Sequence, residues 1–287
     1  MGMINAVGLV LHPGRDCRTA VRTITEWARA REVAVLGLEV EIERIGAPAA
    51  AVEQRHLARR SDVVVSLGGD GTMLRSMRLV RGCPAPVLGV NLGRLGFLAE
   101  IDVPELAGAL TAIDERRFTV EARSGVRATL AGEDTTAFND IALVRIPGRG
   151  STAAVEVQVE GHPFVRYAAD AVVVATPTGS TAYSFSAGGP IVSPSAEGLL
   201  VVPVAPHSVF NRALFLSGGE KLALEVLPTS GAIAVEADGR VVGHVLPGDV
   251  VDLTLLPAAA RVVRLGRTTF YQRAQRRLRL TGSVEAD

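Results

Sequence analysis

The chain has 287 residues, 48% of them hydrophobic, and its thirty acidic side chains balance thirty basic ones. That length and apolar content suit one or two folded domains with a large core, and a neutral total offers no global field for nucleic acid or an anionic membrane. No apolar run is long enough to span a bilayer and no signal peptide is visible, so the expectation is a cytoplasmic protein.

Five scattered histidines lack metal-ligand spacing, and Cys17 and Cys83 lie far apart, so neither a zinc site nor a disulfide framework is expected. Lys221 is the only lysine. It stands in a Gly-Gly-Glu-Lys turn, outside any G-x-x-x-x-G-K-S/T loop. P-loop NTPases and protein kinases both place a lysine on the phosphates, so both are disfavoured, and so is PLP chemistry on Lys221.

In chain order, the apolar run Ile4 to Leu11 reads as a buried strand stopped by His12-Pro13-Gly14. Asp16 to Arg31 reads as a helix, with Ala20, Val21, Ile24, Trp27 and Ala28 on one face. Val33 to Leu38 is a second strand and Ala49 to Arg60 a helix. Ser61 to Arg81 then changes period: Val63, Val64 and Val65 belong to a strand, whereas Met73, Leu74, Met77 and Val80 recur at helical spacing. Gly68-Gly69-Asp70-Gly71-Thr72 lies at the change. Glycines there permit a tight turn and close backbone approach, Thr72 is placed to cap the helix, and the first helical turn suits a phosphate. A carboxylate repels phosphate, so Asp70 either caps the turn or has chemistry of its own.

A strand at Val87 to Asn91 leads into Asn91-Leu92-Gly93-Arg94-Leu95-Gly96-Phe97, and Asp102-Val103-Pro104 starts a helix with Leu106, Leu110 and Ile113 inside. Alternating strands and helices predict a Rossmann-like α/β domain with a mostly parallel sheet over residues 1–121. Ligands of such sheets sit beyond the carboxyl ends of the strands, which puts Asp70 and the glycine loop on one rim. After Phe118 the texture becomes short β-branched runs: Val126–Leu130, Ile141–Val144, Val155–Val159, Val172–Val174, Leu199–Val204, Leu222–Leu227, Val250–Leu255 and Val262–Leu265. They predict a mostly β domain over 122–269. Residues 270–287 form an arginine-rich tail, helical over Tyr271 to Leu280. Its charges read as a solvated face, and it is expected to pack back on the N-terminal domain.

A second constellation repeats the strand-to-turn logic. Ala169 to Ala175 runs into Thr176-Pro177-Thr178-Gly179-Ser180-Thr181-Ala182-Tyr183-Ser184, where hydroxyls and amides gather around Gly179 and Tyr183 offers a flat ring with a polar tip. Together, GGDGT at Gly68–Thr72, NLGRLGFL at Asn91–Leu98, Asn139-Asp140 and TPTGSTAYSFSAGGPIV at Thr176–Val192 resemble the NAD kinases, over most of the chain and in order. GGDGT alone is shared with lipid kinases and phosphofructokinases. Joined to TPTGSTAYS it is specific to this family.

The resemblance implies transfer of the ATP γ-phosphoryl to the 2′-hydroxyl of the adenosine ribose of NAD, with a divalent cation, Mg²⁺ or Mn²⁺, accompanying ATP. It also implies a homodimer or homotetramer that holds the dinucleotide between the two domains. Asp70 would accept the hydroxyl proton, and Gly68, Gly69, Gly71 and Thr72 would form the phosphate loop. Asn139 and Asp140 stand where the family's Asn-Glu pair holds ribose and adenine. Asp170 would meet the nicotinamide end, and Arg75 a phosphate. Thr181, Ala182, Tyr183, Ser184 and Ser186 would line the adenine and ribose pockets, with Arg240 nearby. The departures are Asp140, one methylene shorter than Glu; Ala169 and Ala171, which flank Asp170 in place of glycines; and Arg240, where glutamine is common. They leave open a dinucleotide sensor that has lost catalysis, and GGDGT itself leaves a lipid kinase, against which the hydroxyl-rich turn speaks.

Overall fold

The computed structural model describes residues 4–93, 96–148, 152–266 and 268–280. The chain divides into two compact units, 1–122 with 260–287, and 123–259. The first is α/β. Its elements are β1 (Ala6–Leu11), α1 (Arg18–Arg29), β2 (Ala34–Leu38), α2 (Glu39–Ile45), β3 (Ala50–Val52), α3 (Gln54–Leu57), β4 (Val63–Gly68), α4 (Asp70–Val80), β5 (Val87–Asn91), β6 (Ile101–Asp102) and α5 (Leu106–Asp114). The strands pair in parallel in the order β5-β4-β1-β2-β3. Every residue of β4 is buried, as a central parallel strand covered on both faces requires. On α1 the buried residues are Ala20, Val21, Ile24, Trp27 and Ala28, the face that the sequence period selects. The Trp27 indole also donates to Thr111 Oγ1 on α5 at 2.9 Å.

The second unit is β-rich. Following β7 (Thr119–Leu130), within which the chain enters it, come β8 (Glu133–Ala137), β9 (Asp140–Arg145), β10 (Ala153–Val159), β11 (His162–Ala169), β12 (Ala171–Ala175), the short α6 (Tyr183–Ser186), β13 (Gly198–Val204), β14 (Leu214–Ser217), β15 (Leu222–Val226), β16 (Ile233–Ala237), β17 (Arg240–Val245) and β18 (Val250–Arg264). One antiparallel sheet has the order β14-β13-β12-β9-β16-β17; β11, β10, β15 and the first part of β18 pair antiparallel in another. Alternation sorts the side chains. Ile141, Leu143, Val172 and Val174 join Val155, Val157 and Leu224 in one core, while Ala142, Val173, Ala175, Leu200 and Val202 face the other way and carry Tyr183 and Ala187 of the α6 segment. The terminal helix α7 (Phe270–Leu278) belongs to the first unit, and its Thr269–Gln272 capping box closes its N-terminus.

Four local expectations need correction. Ala49 to Arg60 is not one helix: Ala50 and Ala51 pair with Leu36 and Gly37 at the sheet edge before the short α3, so pairing overrides alanine's helical preference. The helix after the glycine turn starts at Asp70 with Gly69 at its cap and no side-chain cap bond; Thr72 is buried in its first turn. Val250–Leu255 and all of Val262–Leu265 but its last residue are parts of one strand, which absorbs Ala258 at φ +48°. The arginines of α7 are not all solvated, because Arg273 is buried.

Candidate functional site

In the first unit, β4 delivers the chain to Gly68 and α4 takes it up at Asp70. A Cβ on Gly68 would lie 2.2 Å from Thr72 Oγ1, so glycine here lets Thr72 fold under the turn. The half-buried Asp70 carboxylate is clasped by the loop after β5: Phe97 N–H donates to Oδ2 and Leu98 N–H to Oδ1, each at 3.0 Å. Gly96 makes room for this, since a Cβ there would fall 2.2 Å from Asp70 Oδ1. The loop is anchored at its start by Asn91, whose amide donates to Gly93 O and Asp102 Oδ1 at 2.8 Å. Arg94 and Leu95 lie outside the described residues. Asp70 and the glycine loop therefore meet at the carboxyl ends of β4 and β5.

Arg75 is engaged elsewhere. Its guanidinium pairs with the buried Glu41 at 2.5 Å and donates to Leu11 O at 2.6 Å. The other Glu41 oxygen accepts from Leu11 N–H at 2.6 Å. This ties α2 and α4 to the end of β1, a use of Arg75 that one helical turn of spacing does not reveal.

In the second unit three segments interlock. Asp238 sits with Gly239 in the β16–β17 turn, both at positive φ, +48° and +71°, the arrangement a two-residue primed turn requires. Asp238 Oδ1 accepts from Phe138 N–H at 3.0 Å and Asn139 N–H at 2.7 Å, and its own N–H donates to Asp140 O at 3.0 Å. Thr176 holds the same stretch from the other side: its N–H donates to Asn139 O at 2.8 Å and its hydroxyl to Phe138 O at 2.5 Å. That hydroxyl accepts in turn from Gly179 N–H at 3.1 Å. A Cβ on Gly179 would meet Asn139 O at 2.0 Å, so only glycine permits the approach.

This frame presents Asn139 half-exposed and leaves Asp140 only 4% exposed. Burial, with the nearby carboxylates of Asp238 and Glu236, pushes the Asp140 carboxyl up from the ordinary 3.8 to about 7. The Tyr183 phenol is also raised, by burial first and then by the charges of Glu236, Asp140 and Asp170. Asp170 accepts from Arg145 Nε at 2.5 Å. Ala169 and Ala171 are fully buried on either side of it, so their methyls fill core. Thr181 and Ser186 turn their hydroxyls to the backbone at Thr178 O and Ala182 O, at 3.4 and 3.5 Å. Ala182 is half-buried and Ser184 buried in the same turn, while Gly71 and Arg240 are exposed. Sequence reasoning did not assign Glu236, Asp238, Arg145 or the Phe97 and Leu98 amides. The Asn91–Leu98 string that holds Phe97 and Leu98, and the Asp238-Gly239 pair, stood out only through the resemblance to the NAD kinases.

The ATP-NAD kinase N-terminal domain family matches residues 7–118, and the ATP-NAD kinase C-terminal domain family matches residues 138–265. NAD kinase 1 of Streptomyces avermitilis is 39% identical, across 99% of this chain and 89% of its own. The chain belongs to the NAD kinase family. NAD kinase of Desulforamulus reducens is 34% identical over 96% of this chain and 98% of its own. Among solved structures, yeast NADH kinase complexed with NADH superposes with a TM-score of 0.86 at 25% identity, covering 99% of this chain and 89% of that one. An Archaeoglobus fulgidus NAD kinase in complex with ATP superposes with a TM-score of 0.75 at 26% identity, covering 96% and 100%. With this family come the α/β plus β-rich architecture and phosphotransferase activity toward NAD with ATP as donor.

Proposed function

We propose that this chain transfers the γ-phosphoryl of ATP to the 2′-hydroxyl of the adenosine ribose of NAD, giving NADP, with Asp70 as acceptor of the hydroxyl proton. The observation that carries this is the clasp on Asp70, whose carboxylate oxygens each accept one backbone N–H from Phe97 or Leu98. Each oxygen keeps lone-pair capacity for an incoming hydroxyl. In the step, the 2′-oxygen bonds to the γ-phosphorus, the bond from that phosphorus to the ADP oxygen breaks, and the proton passes to Asp70. An aspartate is a weak base, but a loose phosphoryl-transfer transition state gives up its proton late, so position outweighs basicity. Gly68, Gly69, Gly71 and Thr72 would receive phosphate at the N-terminus of α4, where unpaired N–H groups and the helix dipole favour anions.

Residues 123–259 are assigned the dinucleotide. Asn139 and Asp140 would hold the ribose and adenine, Tyr183 and its turn the ring faces, and Asp170 the nicotinamide end. Among the described residues, no group of three or more His, Cys, Asp and Glu side chains is placed to hold a metal ion. The divalent cation, Mg²⁺ or Mn²⁺, is assigned to the substrate as metal-ATP, with phosphate oxygens supplying ligands. No helix among the described residues is long and apolar enough to cross a membrane. Exposed Phe164, Phe210 and Phe215 suit a homodimer or homotetramer, which light scattering tests.

The deciding assay is NADP⁺ formation from NAD⁺, ATP and Mg²⁺. Asp70→Asn keeps the fold and lowers turnover roughly 10²–10⁴-fold; wild-type turnover in that variant removes Asp70 from the chemistry. No NADP⁺ from the wild type, with NAD⁺ still bound in calorimetry, would favour the sensor.

A further inference from the structure

The two N–H groups that hold Asp70 come from residues 96–100, which form no helix or strand. No ladder of hydrogen bonds fixes them, so something else must. Leu98 is held on both of its flanking peptide groups: its N–H donates to Asp70 Oδ1 at 3.0 Å, and its carbonyl accepts from Arg264 Nη1 at 3.4 Å. The same Nη1 reaches Glu100 Oε2 at 2.9 Å, and Arg264 Nε reaches Glu121 Oε2 at 2.6 Å. Glu100 accepts from Leu265 N–H at 2.8 Å and from Arg273 of α7 at 3.4 Å, while its own N–H donates to Gly89 O on β5 at 2.9 Å. The Arg264, Arg273 and Glu100 side chains are only 9%, 4% and 1% exposed.

Two buried guanidiniums face the buried Glu100 and the partly exposed Glu121, so the cluster balances in charge. Its planar forks fix direction as well as charge. Gly89 tightens the loop further, since a Cβ there would come within 2.9 Å of Ala99 Cα. The chain of contacts thus runs from α7 and the end of β18, through Glu100 and the Leu98 carbonyl, to the amides on Asp70.

We propose that Arg264 is a positioning residue for Asp70: together with Glu100 and Arg273 it sets the 97–98 amides that aim the carboxylate. This rests on Asp70 being the proton acceptor. Misplacing a catalytic group by a fraction of an ångström costs turnover while leaving substrate binding largely intact. The test is steady-state NADP⁺ formation by the full chain, with Arg264→Gln, Asp70→Asn and the double variant assayed well below their melting temperatures. Arg264→Gln lowers kcat about tenfold, leaves KM for NAD⁺ and ATP within about twofold, and causes no further loss on top of Asp70→Asn. If Arg264→Gln does not fold, Arg273→Gln takes its place, with a drop of about threefold and the same absence of further loss. Wild-type kcat in the folded variant overturns the proposal. So does a raised KM at unchanged kcat, or an equal fold-loss in the Asp70→Asn background. Wild-type turnover by Asp70→Asn alone overturns the proton-acceptor role itself, and is thereby told apart from a failure of the Arg264 assignment.

Discussion

Folding makes the Asp140 carboxyl hold its proton to higher pH than in the unfolded chain. It is 4% exposed, and burial followed by the charges of Asp238 and Glu236 raises its pKa from 3.8 to about 7. The sign follows from proton counting. Between those two values the unfolded chain has released the Asp140 proton and the native chain has not. This contribution to stability is therefore fully present below about pH 4 and is lost as pH rises through 7. Roughly three pH units at 1.36 kcal/mol each make the loss about 4 kcal/mol at most. Asp140→Asn keeps the shape and cannot ionise. Its stability relative to wild type should match near pH 4, climb with pH and level off above 7. Urea unfolding of both proteins at unit pH intervals from 4.5 to 8.5 measures this, since other groups cancel in the difference. A difference that stays flat with pH would refute the reasoning.

Asp238→Asn retains an Oδ1 acceptor for the Phe138 and Asn139 amides and tolerates φ +48°, but removes a charge that raises Asp140. The midpoint of the same pH profile should move to lower pH. Gly179→Ala drives a Cβ to within 2.0 Å of the Asn139 carbonyl, which is backbone and cannot swing aside. Overpacking of this kind costs about 1–3 kcal/mol or more, read as a lowered Tm, and NAD⁺ affinity in calorimetry should fall with it. Gly96→Ala places a Cβ 2.2 Å from Asp70 Oδ1, so kcat should drop while KM for ATP changes little.

The alternation of buried strands with amphipathic helices, the face of α1 and the glycine turn before α4 were all legible from residue order, because periodicity and turn chemistry act over a few residues. Family membership was legible for the same reason: GGDGT and TPTGSTAYS are contiguous strings. Short or polar strands such as β8, β14 and β17 were not, because a strand that alternates weakly is defined by the neighbour it pairs with. Nor did spacing show that Arg75 serves Glu41, that Asp238 braces a segment 99 residues away, or that Arg264 reaches back to Leu98 and Glu100. The sequence alone determined which residue types stand at each turn. The tertiary structure decided which of them are buried, charged against one another and held by distant backbone, because desolvation and hydrogen bonding depend on proximity in space and carry no signature in the order of the chain.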